Sequence, residues 1–113
     1  MQTKLSKSEI AVLRESANEA WESELHDALE DLFEDFSLWA DDGYSSRELT
    51  DRIHEFHDGI SRELYKRYTG LPPSVVVARA IAVGIIDEAA LSPSLQEKLA
   101  DEIEAQRRIN DAD

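Results

Sequence analysis

Apolar residues repeat at helical spacing through the first third of this chain, and this pattern constrains its fold more than any other feature. Between Ile10 and Trp39 they recur in steps of three and four that average about 3.6 residues. The nine positions are Ile10, Leu13, Ala17, Trp21, Leu25, Ala28, Leu32, Phe36 and Trp39. A step of 3.6 rather than 3.5 indicates a straight amphipathic helix on a globular core. Because Ser6 and Glu9 match a capping box, the helix is predicted from about residue 7 to residue 40.

The same segment is strongly acidic. From Glu15 to Asp42 there are eleven Asp and Glu residues and no Lys or Arg, in a chain of 113 residues with a formal net charge of −13. On a helical wheel most of these acids fall on a broad face opposite the apolar stripe. Like charges four residues apart destabilise a helix, and a face that serves only solubility normally contains lysines as well. The pattern therefore favours a surface whose negative potential is used for binding, although a merely solvated acidic face would show the same residues.

Three further helices are predicted. A second capping box at Ser45 and Glu48 opens a helix over about residues 46–69, which ends before the Pro72-Pro73 pair. The next segment, about 74–90, is apolar almost all round and should form the buried centre. Ser92-Pro93 opens a last helix over about 93–109. The predicted fold is all-α, a four-helix single domain spanning residues 1–113, with a long acidic N-terminal helix and an apolar central third helix.

Glycines mark the expected ends and irregularities of these helices. Gly43 is the predicted left-handed cap of the first helix and Gly70 a cap of the second, while Gly84 should end or bend the third. Gly59 lies inside the second helix at a cost of about 1 kcal/mol relative to Ala. Either a neighbouring helix crosses closely at Gly59 or the helix kinks there.

Composition excludes several classes of protein. With no cysteine, the chain has no disulfide, thiolate metal site or cysteine nucleophile, which fits a reducing compartment. The N-terminus does not resemble a secretory signal or a transit peptide, and the longest apolar run, residues 71–86, is shorter than the roughly 20 residues that span a bilayer. A cytoplasmic protein is expected. Its negative charge disfavours direct contact with nucleic acid or anionic membranes and favours a basic partner.

We predict that the partner-binding site lies on the first helix. Phe33 projects away from the apolar stripe and sits among acids in the sequence, as an aromatic anchor inside a charged rim would, unless a bend or another segment buries it. The predicted function is a small acidic protein-binding protein, an inhibitor or antagonist that occupies a basic, nucleic-acid-binding surface of another protein, for example by imitating nucleic acid. The predicted partner-binding residues are Glu15, Glu19, Glu22, Asp27, Glu30, Phe33 and Glu34.

Two alternatives stay open. One is a structural or regulatory helical subunit that oligomerises through the apolar third helix, for instance as a homodimer. The other is a metal-binding protein that uses His54, His57 and Asp58, with Asp51 one turn earlier. No second Glu-x-x-His motif accompanies this cluster, so no metal or other cofactor is expected.

Two further functions are disfavoured. A helix-turn-helix spacing around Gly84 lacks the Lys and Arg that DNA phosphates require. No catalytic motif is present, so the chain is not expected to be an enzyme.

Overall fold

The computed structural model describes residues 4–112, which form helices joined by short turns and contain no β-strand. The helices are α1 (Lys7–Ala40), α2 (Ser46–Phe56), α3 (Arg62–Gly70), α4 (Pro73–Ala82) and α5 (Pro93–Ala112). A π-helical turn (His57–Ser61) joins α2 to α3, and a 3₁₀ turn (Glu88–Ala90) precedes α5. The all-α fold class is confirmed.

The predicted caps start three of these helices. The Ser6 hydroxyl accepts the Glu9 N–H at 3.1 Å while the Glu9 carboxylate accepts the Ser6 N–H at 2.9 Å. Ser45 and Glu48 make the same reciprocal pair at 3.1 and 3.3 Å. At the start of α5 the Ser92 hydroxyl accepts the Leu95 N–H at 3.2 Å. Local hydrogen-bonding chemistry therefore fixes these helix starts.

The predicted second helix is a continuous rod from Ser46 to Gly70, but it contains a wider π-helical turn around Gly59. A Cβ atom added at Gly59 would meet no atom within 4 Å. The close helix crossing that we considered for this glycine is therefore wrong. The irregularity is instead one turn in which the backbone hydrogen bonds change from the α-helical to the wider π-helical pattern.

The predicted bound of the third helix near residue 90 is wrong, because α4 stops at Ala82, but the prediction that Gly84 ends or bends this helix is confirmed. Gly84 has φ +84, and the Gly84 N–H donates to the Ile81 carbonyl while the Ile85 N–H donates to the Ala80 carbonyl. These bonds form a Schellman motif, which terminates a helix. Apolar residues continue past it and enter the core from a turn, as Leu91 does, so hydrophobicity alone did not reveal the helix end.

The end of α1 also differs from expectation. Asp42, with φ 64, is the left-handed residue, rather than Gly43. Gly43 is needed for another reason, since its Cβ would lie 3.0 Å from the Leu38 carbonyl oxygen, which already accepts the Gly43 N–H. Gly70 is the last residue of α3 and not a left-handed cap, because among the described glycines only Gly84 has a positive φ.

Helix α4 is the centre of the core, as predicted for the apolar third helix. Val76, Val77 and Ala78 are at most 2% exposed. With Ile81, also of α4, they belong to one buried cluster that includes residues of α1, α5 and the turn before α5, namely Leu13, Ala17, Leu91, Leu95, Leu99 and Ile103. We call this region the head: the first part of α1 together with α3, α4 and α5.

A two-helix arm extends from the head. It consists of residues 29–40 of α1, the turn 41–45 and α2. The molecule measures 58 × 30 × 23 Å with a radius of gyration of 17.5 Å, against about 13 Å for a compact chain of this length. Leu49 is the only buried residue of the arm. The arm is therefore held together by much less apolar burial than the head.

Candidate protein-binding surface

All seven predicted partner-binding residues lie on the exposed surface of α1. Five of the six acids form no ion pair within the described residues 4–112: Glu15, Glu19, Glu22, Asp27 and Glu34. Glu30 contacts only His26, one turn earlier, at 2.6 Å. Because no cation of the chain neutralises these five, their charge is directed to solvent or to a partner. We call the six acids the carboxylate row.

The carboxylate row is long and broad. From Glu15 to Glu34 the helix rises about 28 Å. At about 100° per residue, Glu15, Glu19 and Glu22 lie on the same side of α1 as Phe33, whereas Asp27 lies about 120° from it. The row is thus a wide acidic surface with one edge near Phe33, and not a single line of charges.

Glu24 belongs to the same acidic segment but is removed from that surface. Its side chain is 17% exposed and accepts hydrogen bonds from Arg67 at 3.3 Å, Arg79 at 3.2 Å and the Tyr68 hydroxyl at 2.8 Å. Burial, and then the bond to the Glu24 carboxylate, raise the pKa of Tyr68, so its hydroxyl stays a donor. Tyr68 also stacks on Trp21, with ring centroids 5.6 Å apart. This cluster ties α1 to α3 and α4.

The sequence analysis missed the Glu24 cluster, although one signal pointed to it. Arg79 is the only charged residue in the apolar segment that forms α4. A lone cation in a buried helix requires an acidic partner, because an unpaired buried charge is costly. The acid-rich first helix was the obvious source of that partner.

A second ion pair fixes the N-terminal end of α1. The Lys98 ammonium of α5 lies 2.7 Å from the Glu9 carboxylate, whose side chain is 15% exposed. The hydrogen bond from Lys98, and then that from the Ser6 N–H, lower the pKa of Glu9 to about 2. The head therefore holds α1 at Glu9 and at Glu24, and the carboxylate row begins between these two anchor points.

The two sides of the arm differ. An open groove of about 330 Å³ runs along one side of the hairpin; it is lined by four charged residues, Asp31, Asp35, Arg52 and Glu55, and by four apolar ones, Ala28, Leu32, Phe56 and Ile60. Two residues along an α-helix turn a side chain through about 200°, so Leu29 and Phe33 project away from Asp31, and Ile53 away from Glu55.

The side opposite this groove is apolar. Its exposed side chains are Leu29, Phe33, Phe36 and Ile53, with exposed fractions from 38% for Ile53 to 70% for Phe33. We call these four residues the apolar arm face. Phe33 is therefore exposed and not covered by another segment, and it lies beside three other apolar residues rather than alone among acids.

The histidine cluster does not converge. The His57 ring lies 3.2 Å from Asp58 in an exposed contact, and His54 is also exposed. Within residues 4–112 no group of three or more His, Asp or Glu side chains is placed to hold a metal ion.

The third helix also offers little free surface. Val76, Val77, Ala78, Ala80 and Ile81 are all buried inside the chain itself. Six exposed large hydrophobic residues lie on the arm, and Val83, at the C-terminal end of α4, is also exposed; oligomerisation through the third helix stays a prediction.

Comparisons with protein-family models, with curated proteins and with solved structures found no match. In the part of the chain that the structure describes, every helix is too short or too polar to cross a membrane.

Proposed function

We propose that this chain is a small acidic protein-binding protein that acts as an antagonist by occupying a basic, nucleic-acid-binding surface of another protein. The observation that carries the proposal is the carboxylate row: exposed acids over about 28 Å of one helix, five of them without an ion pair in residues 4–112. No Lys or Arg occurs between Glu15 and Asp42 to neutralise them.

The row is suited to electrostatic recognition. Its six acids average roughly one charge per 5 Å along the helix, compared with one phosphate per 3.4 Å along a strand of B-DNA. Complementary charge of this kind mainly accelerates encounter and selects the partner. Since the Glu9 and Glu24 contacts already fix α1 to the head, little conformational entropy is lost when the row is engaged.

The test is capture of partners from the source lysate at low and high salt. The row variant carries Glu19→Lys, Glu22→Lys, Glu30→Lys and Glu34→Lys. The matched control carries Asp51→Lys, Glu97→Lys, Asp101→Lys and Asp111→Lys, four reversals at exposed positions outside α1. The wild type and the control should capture the same nucleic-acid-binding protein and release it at high salt, while the row variant should not capture it.

Antagonism has its own measurement. The captured protein is bound to a labelled nucleic acid, and increasing wild-type chain should displace the label in a salt-sensitive manner. The proposal would be overturned if the row variant captured the partner as well as the wild type does, or if salt did not weaken the capture. A ternary complex of chain, partner and nucleic acid in place of displacement would also overturn it.

A further inference from the structure

We propose that two copies of this chain associate through the apolar arm face and pair their arms into a four-helix bundle. The apolar arm face is separate from the carboxylate row, although Glu22 and Glu30 of the row border it, and the inference does not depend on the proposed antagonism. It also names a different surface from the third helix of the sequence analysis.

As a single hairpin, the arm buries few apolar side chains. Of the twelve large hydrophobic side chains that are exposed in the described residues, six lie on it: Leu29, Phe33, Phe36, Leu38, Trp39 and Ile53. Helices of this length gain most of their stability from packing an apolar face, and only Leu49 of the arm is buried. Two hairpins packed face to face form a four-helix bundle, which buries such faces in a common core.

Charge distinguishes a second copy from other occupants. A chain with net charge −13 repels its own copies, so self-association requires a contact surface without carboxylates. The four residues of the apolar arm face include no acid: Asp31, Asp35 and Glu55 line the groove on the other side of the hairpin, and Glu30 lies at the edge of the face, about 60° around α1 from Phe33. A strongly cationic partner would instead be expected to require acids within the contact surface.

The two edges of the apolar arm face differ in a way that suits a two-fold axis. By helical geometry, Glu22 and Glu30 lie beyond the α1 edge, with His26 against Glu30, and His57 and Arg62 lie beyond the α2 edge, with Asp58 against the histidine. A two-fold axis parallel to the arm helices places the α1 edge of each copy against the α2 edge of the other. In that arrangement the more acidic edge faces the more basic one.

The head leaves this surface open. Leu13, Ala17 and Ala20 are the α1 residues buried in the head, and Leu13 lies about 160° around the helix from Phe33. Helices α4 and α5 therefore pack on the side of α1 away from the apolar arm face. A two-fold axis parallel to the arm helices places both heads at the same end of the bundle, with α4 and α5 of each copy on the side of α1 away from the interface.

The available area predicts a weak dimer. Leu29 to Phe36 spans about 10 Å of α1 and the hairpin is about 20 Å wide, which is roughly 200 Å² in projection. Protruding side chains raise the accessible area, but it stays below the 800 Å² or so per partner of a standard stable interface. A dissociation constant in the micromolar range or weaker is expected.

The test is sedimentation equilibrium over a dilution series of the full chain. The wild type should approach twice the chain mass of 12.8 kDa with rising concentration. Phe33→Glu should weaken the dimer at least tenfold, and its folding is not at risk because Phe33 is 70% exposed. The matched control, Ile109→Glu, alters a residue of α5 that is 59% exposed, and it should leave the dimer unchanged.

Site-specific cross-linking locates the interface. Since the chain has no cysteine, Ile53→Cys and Leu71→Cys each introduce a single thiol. A short bis-maleimide should link two copies of the Ile53 variant and not of the Leu71 variant, whose thiol lies on the head. The proposal would be overturned if the wild type stayed monomeric at every concentration, or if the Phe33→Glu variant were as dimeric as the wild type. Equal cross-linking of both thiols would also overturn it.

Discussion

Glu24 shows how a residue's role depends on its surroundings rather than on its neighbours in sequence. It lies between Glu22 and Asp27, both of which are exposed on the carboxylate row. Glu24 lies two residues after Glu22, so its side chain points about 200° around α1 from that of Glu22 and contacts Arg67 and Arg79. The same residue type therefore serves as surface charge at two positions and as an ion-pair centre at the third.

Replacing Glu24 with Gln should destabilise the protein by about 2 kcal/mol, because two arginines that are 20% and 26% exposed would then face a neutral amide. Partial solvation of these arginines keeps the loss below that of a fully buried pair. The measurement is the free energy of unfolding in urea. Glu22→Gln, which removes an exposed carboxylate without an ion pair, is the control and should change stability by no more than about 0.5 kcal/mol. Equal effects of the two substitutions would contradict the assigned role of Glu24.

Glu9 makes the stability depend on pH in a defined direction. Its pKa is lowered from 4.5 to about 2 in the folded chain by Lys98 and Ser6. A lowered folded-state pKa contributes stability above the ordinary value, and this contribution disappears as the pH falls from 4.5 towards 2. Acid also relieves repulsion among the other carboxylates, so the quantity to measure is the difference in urea midpoint between wild type and Glu9→Gln. The difference should be largest near neutral pH and shrink over this window; a difference that stays constant would show that Glu9 is not protonated there.

Among the helices, the two best-defined irregularities contain glycines with opposite requirements. Gly59 lies in the π-helical turn with open space around it, whereas Gly84 adopts φ +84. Gly59→Ala should stabilise the chain by up to about 1 kcal/mol, since alanine restricts the unfolded state without a clash. Gly84→Ala should destabilise it by about 1 kcal/mol, since a side chain is strained at positive φ. Thermal unfolding of both variants measures the signs, and destabilisation at Gly59 would mean that the π turn itself needs glycine.

Sequence patterns predicted the helices better than their ends and interruptions. Ser6, Ser45 and Ser92 announced helix starts because a cap is a contact within four residues. Gly84 signalled the end of α4, but the predicted helix was extended to about residue 90 because apolar residues after Gly84 still enter the core, and periodicity does not distinguish a buried helix from a buried turn. At the end of α1 the left-handed residue is Asp42 and not the predicted Gly43. Residue preference alone does not decide which of these two neighbours adopts the left-handed conformation.

The candidate site was predictable in part for a similar reason. Exposure of the carboxylate row followed from the helical wheel, because it is a property of one helix. The grouping of Phe33 with Ile53 depends on how α2 packs beside α1, and the pairing of Glu24 with Arg79 on how α4 does. The periodicity of a single helix does not predict contacts between elements that are distant in sequence.

At the scale of the whole molecule, the chain combines a well-packed head with an arm that buries little. Stability in such a molecule is not uniform, because elements with few buried contacts open locally well below the free energy of global unfolding. The carboxylate row spans both regions, from Glu15 on the head to Glu34 on the arm. If association orders the arm, it would therefore also order two of the six acids of the row, Glu30 and Glu34, which links the proposed dimer to the proposed partner-binding surface.

Hydrogen exchange tests this division directly. At high dilution, backbone amides of residues 29–40 and of α2 should exchange at least tenfold faster than those of Val76, Val77 and Ala78 in α4, because the arm opens without unfolding the head. If arms pair between copies, exchange in the arm should slow as protein concentration rises, while exchange in α4 stays constant, because association stabilises only what it buries. In Phe33→Glu the arm should exchange rapidly at every concentration. An arm as protected as α4 at the highest dilution would show that the hairpin is stable alone, and the main physical reason for a second copy would then be lost.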